Sequence, residues 1–98
     1  MQLARVVGQV VSTVKEPGLD GFKILLVSDV DASEPDRRDG VAPYLAIDLV
    51  GAGEDEIVLV AQGGAARITE ASRRTPTDRA VVAIVDDVVV GGSVTFKK

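Results

Sequence analysis

Apolar residues recur along this chain in short runs dominated by valine and isoleucine. Residues 3–15 alternate. Val6, Gly8, Val10 and Val14 fall on one side of an extended chain, and Arg5, Gln9, Thr13 and Lys15 on the other. That period of two predicts a strand with one wet face, although Val7 and Val11 also lie on the polar side. Branching at Cβ stiffens Val and Ile and fits them to a pleated surface. Further strands are predicted over 22–30 (FKILLVSDV), 44–50 (YLAIDLV), 56–61 (EIVLVA) and 79–90 (RAVVAIVDDVVV), with a short sixth in SVTFKK.

The breaks between these runs are turn chemistry. EPGLDG at 16–21 centres on Pro17-Gly18, and Gly91-Gly92 separates the last two strands. Residues 31–40 (DASEPDRRDG) are charged, carry Pro35 and Gly40, and read as an exposed loop. Residues 51–55 between the third and fourth strands have the length of an ordinary hairpin connection. One helix is predicted over 64–74 (GAARITEASRR), alanine-rich and stopped before Pro76. Many short strands, tight turns and one helix predict a mainly β fold, a small closed or partly open barrel of five or six strands. No internal repeat or linker divides the chain, so residues 1–98 are read as one domain.

Several strands are apolar on both faces: ILLV, IVLV, VVAIV and VVV. An antiparallel sheet over one core should alternate, with its outer face polar. A chain of 98 residues cannot bury both faces of so many strands alone. The helix and loops cover some of that surface. The rest predicts burial against other copies of the chain.

Composition narrows the chemistry. The chain contains no Cys and no His. Disulfides, thiolate nucleophiles, the commonest general base and the commonest transition-metal ligand are therefore absent. Ser72, Thr75 and Thr77 have no base to activate them. Lys15, Lys23, Lys97 and Lys98 sit in polar contexts that do not lower a lysine pKa. Asp86-Asp87 would point to opposite faces of a strand. DVDAS at 29–33 opens like a calcium loop but has Glu34 and Gly40 where glycine and glutamate are needed. No catalytic, metal or cofactor site is expected.

The net charge is −4 and the only aromatics are Phe22, Tyr44 and Phe96, which disfavours nucleic acid. An OB-type module for single-stranded nucleic acid is the alternative reading. No apolar window reaches the length of a membrane helix, and the N-terminus does not read as a signal peptide, so a cytoplasmic protein without membrane contact is expected.

Two glycine-bearing segments stand out. Gly51-Ala52-Gly53 begins like a dinucleotide fingerprint. A strand follows rather than a helix, and Glu54, Asp55 and Glu56 would repel a phosphate. The glycines are read as shaping a turn. Gly63-Gly64-Ala65-Ala66 precedes Arg67, whose planar donors suit either an exposed helix position or a buried subunit contact.

GQVVSTVK with GFKILLV, AIDLVGAGEDEIVLV, GGAAR and PTDRAVVAIVDDVV together resemble the EutN/CcmL family of microcompartment vertex proteins over nearly the whole chain. The resemblance implies an OB-like β-barrel with a short helix and a homopentamer. It implies a place at the fivefold vertices of a bacterial shell, beside hexameric and trimeric shell proteins, with no catalytic duty. The family's D-x-V-G-A-G-x-G-E-x-V segment falls on Asp48, Val50, Gly51, Ala52, Gly53, Glu56 and Val58, with Asp55 in place of a glycine. Its G-S-S-A-R falls on Gly63, Ala66 and Arg67, with Gly64 and Ala65 in place of two serines. Pro76, Asp78 and Asp86 match further structural positions. Residues 51–56 and 63–67 are expected at the pentamer interface or the axial opening.

Overall fold

The computed structural model describes residues 1–15, 17–19, 21–37, 41–67 and 77–98. Seven strands follow in order: β1 (Gln2–Val10), β2 (Lys23–Asp29), β3 (Tyr44–Asp48), β4 (Ile57–Gln62), β5 (Arg79–Ile84), β6 (Asp87–Val90) and β7 (Ser93–Lys97). The first five close into a barrel in the order β1-β2-β3-β5-β4, and β6 pairs with β7 as a separate two-stranded sheet. The OB-like barrel expected from the sequence is present, and the hairpin is added to it.

The core is the inward face of the barrel: Ala4, Val6, Leu25, Val27, Ala46, Val58, Val60 and Val81, closed at one end by Ala52. Cross-strand register explains the selection, because Val6 lies opposite Val27 and Leu25 opposite Ala46. A second cluster lies outside the barrel wall. Ile47 and Ala80 are sealed there under Ala66, with Leu19, Phe22, Leu49 and Val82 around them. Part of the two-faced apolar pattern is therefore covered within the chain, by the turns before β2 and after β4.

Four expected features differ. The first strand ends at Val10, not Lys15, and a bulge between Val6 and Gly8 reverses its facing, which accounts for Val7 breaking the alternation. The third and fourth strands form no hairpin. β3 pairs in parallel with β5, and β4 pairs with β1 and β5, so residues 49–56 are a crossover between non-neighbours. The long fifth strand is two, because the chain bends at Val85–Asp86 and leaves the barrel. At the start of the expected helix, Gly63–Arg67 form a five-residue 3-10 turn. Residues 68–74 of that prediction, and Pro76, lie outside the described residues. Among the described residues, no helix is long and apolar enough to cross a membrane.

Candidate assembly site

The segment after β3 is held by carboxylates. Asp48 ends the strand with its side chain buried. Its Oδ1 accepts hydrogen bonds from the amides of Val50 and Gly51, both at 3.1 Å. Its Oδ2 lies 3.4 Å from Lys23 Nζ. Lys23 Nζ also donates to the carbonyl of Ala52 at 2.7 Å. Glu56 closes the other side, its Oε1 accepting from the Gly53 amide at 2.6 Å. Gly51 sits at φ +77°, in the left-handed region that side chains avoid. That geometry drops Ala52, fully buried, into the barrel end.

This arrangement decides the phosphate question on geometry. An anion cradle needs free backbone amides. Here the amides of Val50, Gly51 and Gly53 already face Asp48 and Glu56. A recess of about 80 Å³ borders the segment, with Gln9, Lys23 and Glu54 among its lining residues. Lys23 is committed to Ala52 and Asp48, so the recess offers an anion no free cation.

Glu56 Oε2 reaches Lys98 Nζ at 2.6 Å. That bond, with the Gly53 amide, holds the Glu56 carboxyl below its ordinary pKa, and the same bond raises that of Lys98. Lys98 thus ties the base of the β6–β7 hairpin to the crossover, helped by its amide donating to the Asp86 carbonyl at 2.7 Å. Glu54 and Asp55 are exposed at the turn, and Asp55 takes φ +70° where the family pattern has glycine. Asp tolerates that region better than most residues.

Arg5 belongs to this cluster, although the alternation places it on a wet face. It is 6% exposed. Its guanidinium donates to the Asp55 carbonyl at 2.7 Å, to the Pro35 carbonyl at 3.2 Å and to Asp36 at 2.7 Å. Its Nε is buried without a partner. Loop residues 34–36 cover it, and the charged loop expected at 31–40 is thereby anchored at its described end. Only the loop's return over β1 buries this arginine, and no local signal in the sequence marks it.

The second segment sits at the other end of β4, roughly 20 Å away at ~3.3 Å per residue. Gly63 takes φ +60°, and its amide donates to the Asp78 carbonyl at 2.7 Å, where the chain re-enters β5. Ala66 is buried over Ile47 and Ala80. Gly64 is exposed, and a Cβ there would meet nothing within 4 Å. Arg67 closes the turn; its side chain and that of Ala65 lie outside what the structure describes. Asp78 and Asp86 are exposed. The two predicted segments are therefore not one patch within a subunit.

The aromatics are engaged inside the chain. Tyr44 donates to Asp29 at 2.6 Å, and the Arg79 guanidinium lies 4.2 Å from its ring centre. Burial, then the bond to Asp29, pushes the Tyr44 phenol above its ordinary pKa. Phe22 packs in the outer cluster. Among the described residues no group of three or more Asp or Glu could hold a metal ion.

Residues 1–86 match the family described as ethanolamine utilisation protein EutN/carboxysome. The chain is 46% identical over 99 residues to the bacterial microcompartment shell vertex protein EutN of Salmonella typhimurium, spanning 100% of this chain and 96% of that protein. The solved structure of CcmL from Nostoc sp. PCC 7120 has a TM-score of 0.88 at 42% identity, with 100% of both chains covered. The GrpN pentameric microcompartment shell protein from Rhodospirillum rubrum has a TM-score of 0.77 at 38% identity, covering 92% of this chain and 99% of that one.

Proposed function

The chain belongs to the EutN/CcmL family, and from that premise we propose that it is a structural shell protein: a homopentamer that caps the fivefold vertices of a bacterial microcompartment. The observation that carries this reading is full-length similarity, at 46% identity, to a shell vertex protein. Its partners are further copies of itself and the hexameric and trimeric shell proteins of the facets, in the cytoplasm. It works by shape and contact, without catalysis.

The chain's physics supports the reading. The described barrel interior is packed with the chain's own apolar side chains. Leu45, Val50, Val89 and Val94 are 40–61% exposed, surface that a ring would cover. Small residues at 51–56 and 63–67 stand at opposite ends of β4, as two flanks of a head-to-tail contact would. On this reading both flanks contribute to the subunit interface or the axial opening. The nucleic-acid alternative has less support, since Tyr44 and Phe22 are already packed.

Native mass spectrometry at micromolar concentration is expected to show five times the single-chain mass. A monomer or dimer there would refute the ring. Co-expression with a hexameric shell protein is expected to give closed polyhedra with this chain and vertex-open shells or tubes without it. Identical shells in both cases would remove the capping role.

A further inference from the structure

We propose that the β6–β7 hairpin is an arm whose Val89–Val94 face seats on the bare outer face of β1, β2 and β3 of the neighbouring copy in the ring. The inference rests on the pentameric reading above and names its contact.

The hairpin is a sheet of its own. Two strands alone are marginal in water, so this one needs cover on both faces. One face has some: Val88 lies opposite Phe96, and both are half-buried. The other face does not. Val89 lies directly opposite Val94, and they are 61% and 60% exposed. Among the described residues its side-chain ties to the rest of the chain are Thr95 Oγ1 donating to the Ala32 carbonyl at 2.6 Å, and Lys98 on Glu56. Both hold the hairpin on the β7 side and leave the valine pair without a partner.

The receiving face is a gap between two covered ends. At one end of the outer wall Arg5, opposite Ser28, lies under residues 34–36. At the other, Ile47 is sealed beneath Ala66 and Leu19. Between them runs the rung Gly8–Leu26–Leu45; Val10 and Ile24 continue the rung that ends on the sealed Ile47 and form the edge of the gap. Leu45 is 49% exposed and Val10 37%. Neither rung carries a charge, and Gly8 flattens the first: a Cβ there would come within 3.6 Å of Leu26.

Both faces are apolar, pleated and open within one chain. They are different patches, so their contact is heterologous, the kind that closes into a ring when the rotation fits. A solved relative that superposes on 92% of this chain is described as pentameric. A second copy is therefore the occupant that the chain itself supplies for each face.

The absence of cysteine makes the test direct. Two full-length double variants, Leu45→Cys with Val94→Cys and Leu45→Cys with Val89→Cys, are purified, oxidised and run on denaturing gels. A disulfide needs Cα atoms about 4.4–6.8 Å apart. A ladder of covalent multimers reaching five chains, collapsed by reductant, is the expected result for at least one pair. In parallel, Val94→Glu and Leu45→Lys are each expected to convert the native fivefold mass to single chains with the β circular dichroism retained. Their combination is expected to restore the ring in part.

A wild-type monomer in native mass spectrometry would refute the pentameric reading, and this inference with it. A wild-type pentamer with no ladder from either pair, or with only an intrachain bond, would overturn the arm contact and leave the pentamer standing. The same holds if Val94→Glu keeps its ring and loses only co-assembly with a hexameric shell protein, since the arm's occupant is then a different chain.

Discussion

The segments Gly51–Glu56 and Gly63–Arg67 look alike in sequence, each a glycine pair with alanine after a strand, and they serve opposite ends of β4 differently. The first is tied from within. Asp48, Glu56, Lys23 and Arg5 take up its amides and carbonyls, and its alanine fills the barrel end. Among the described residues, the second is held by a backbone bond from Gly63 to Asp78 and by the buried Ala66. Gly64 has neither a left-handed backbone nor a crowded neighbour. Glycine content does not distinguish the two segments; the side chains that the described residues turn onto the backbone do.

The sharpest way to break that contrast is Asp48→Ala. It leaves two amides and Lys23 without their acceptor at a buried position. The expected loss is about 1–3 kcal/mol, read as a lower urea midpoint with unchanged slope. No change would mean that water satisfies the crossover equally well. Gly51→Ala comes next. Forcing a Cβ into φ +77° costs about 1–2 kcal/mol, although nothing stands within 4 Å to clash with it.

Lys98→Met tests the tie between crossover and hairpin through pH. The Glu56 carboxyl is held below its ordinary value of 4.5, so its contribution is complete above that value and fades as pH falls through the folded value. Lys98 is raised above 10.5, so its share is complete below that and fades as pH rises through the folded value. Wild type and variant are expected to differ in midpoint at pH 7 and to converge as the pH falls below the ordinary carboxyl value. A difference that persists in acid would mean that the contact is not ionic.

The smallest effect is expected at the second segment. Gly64→Ala should change stability by less than about 0.5 kcal/mol. Any consequence should appear in the native mass or in shell closure instead, which the same variant reports.

Much of the barrel is legible in the chain because period-two alternation fixes which side of a strand is wet. Val6 falls on the inner face as that rule puts it, whereas Gly8 and Val10, beyond the bulge, face outward. Asp48 and Glu56 are visible as motif positions, but their task is not, since it depends on which amides the crossover turns toward them. The expected hairpin between β3 and β4 fails for a similar reason. The connection predicted at 51–55 fits a hairpin as well as a crossover, and only the pairing of β3 with β5 selects between them. Arg5 is misplaced because its burial comes from residues 34–36, thirty positions away in the chain. At 64–67 the expected helix begins instead as a 3-10 turn, because alanine propensity is a weak term beside the demand to lay Ala66 over Ile47 and Ala80.

The sequence by itself determined a small β-barrel, the absence of histidine and cysteine chemistry, an apolar surplus on the outer strand faces, and the family. These follow from residue type and short-range order, which need no knowledge of what folds against what. Only the tertiary structure decided which outer faces the chain covers for itself and which it leaves open. Ile47 disappears beneath a turn, whereas Leu45, two residues earlier on the same face, stays half exposed. The physical reason is that burial is a property of pairs of surfaces. A strand's pattern says which side is apolar, and only packing says what, if anything, lies against it.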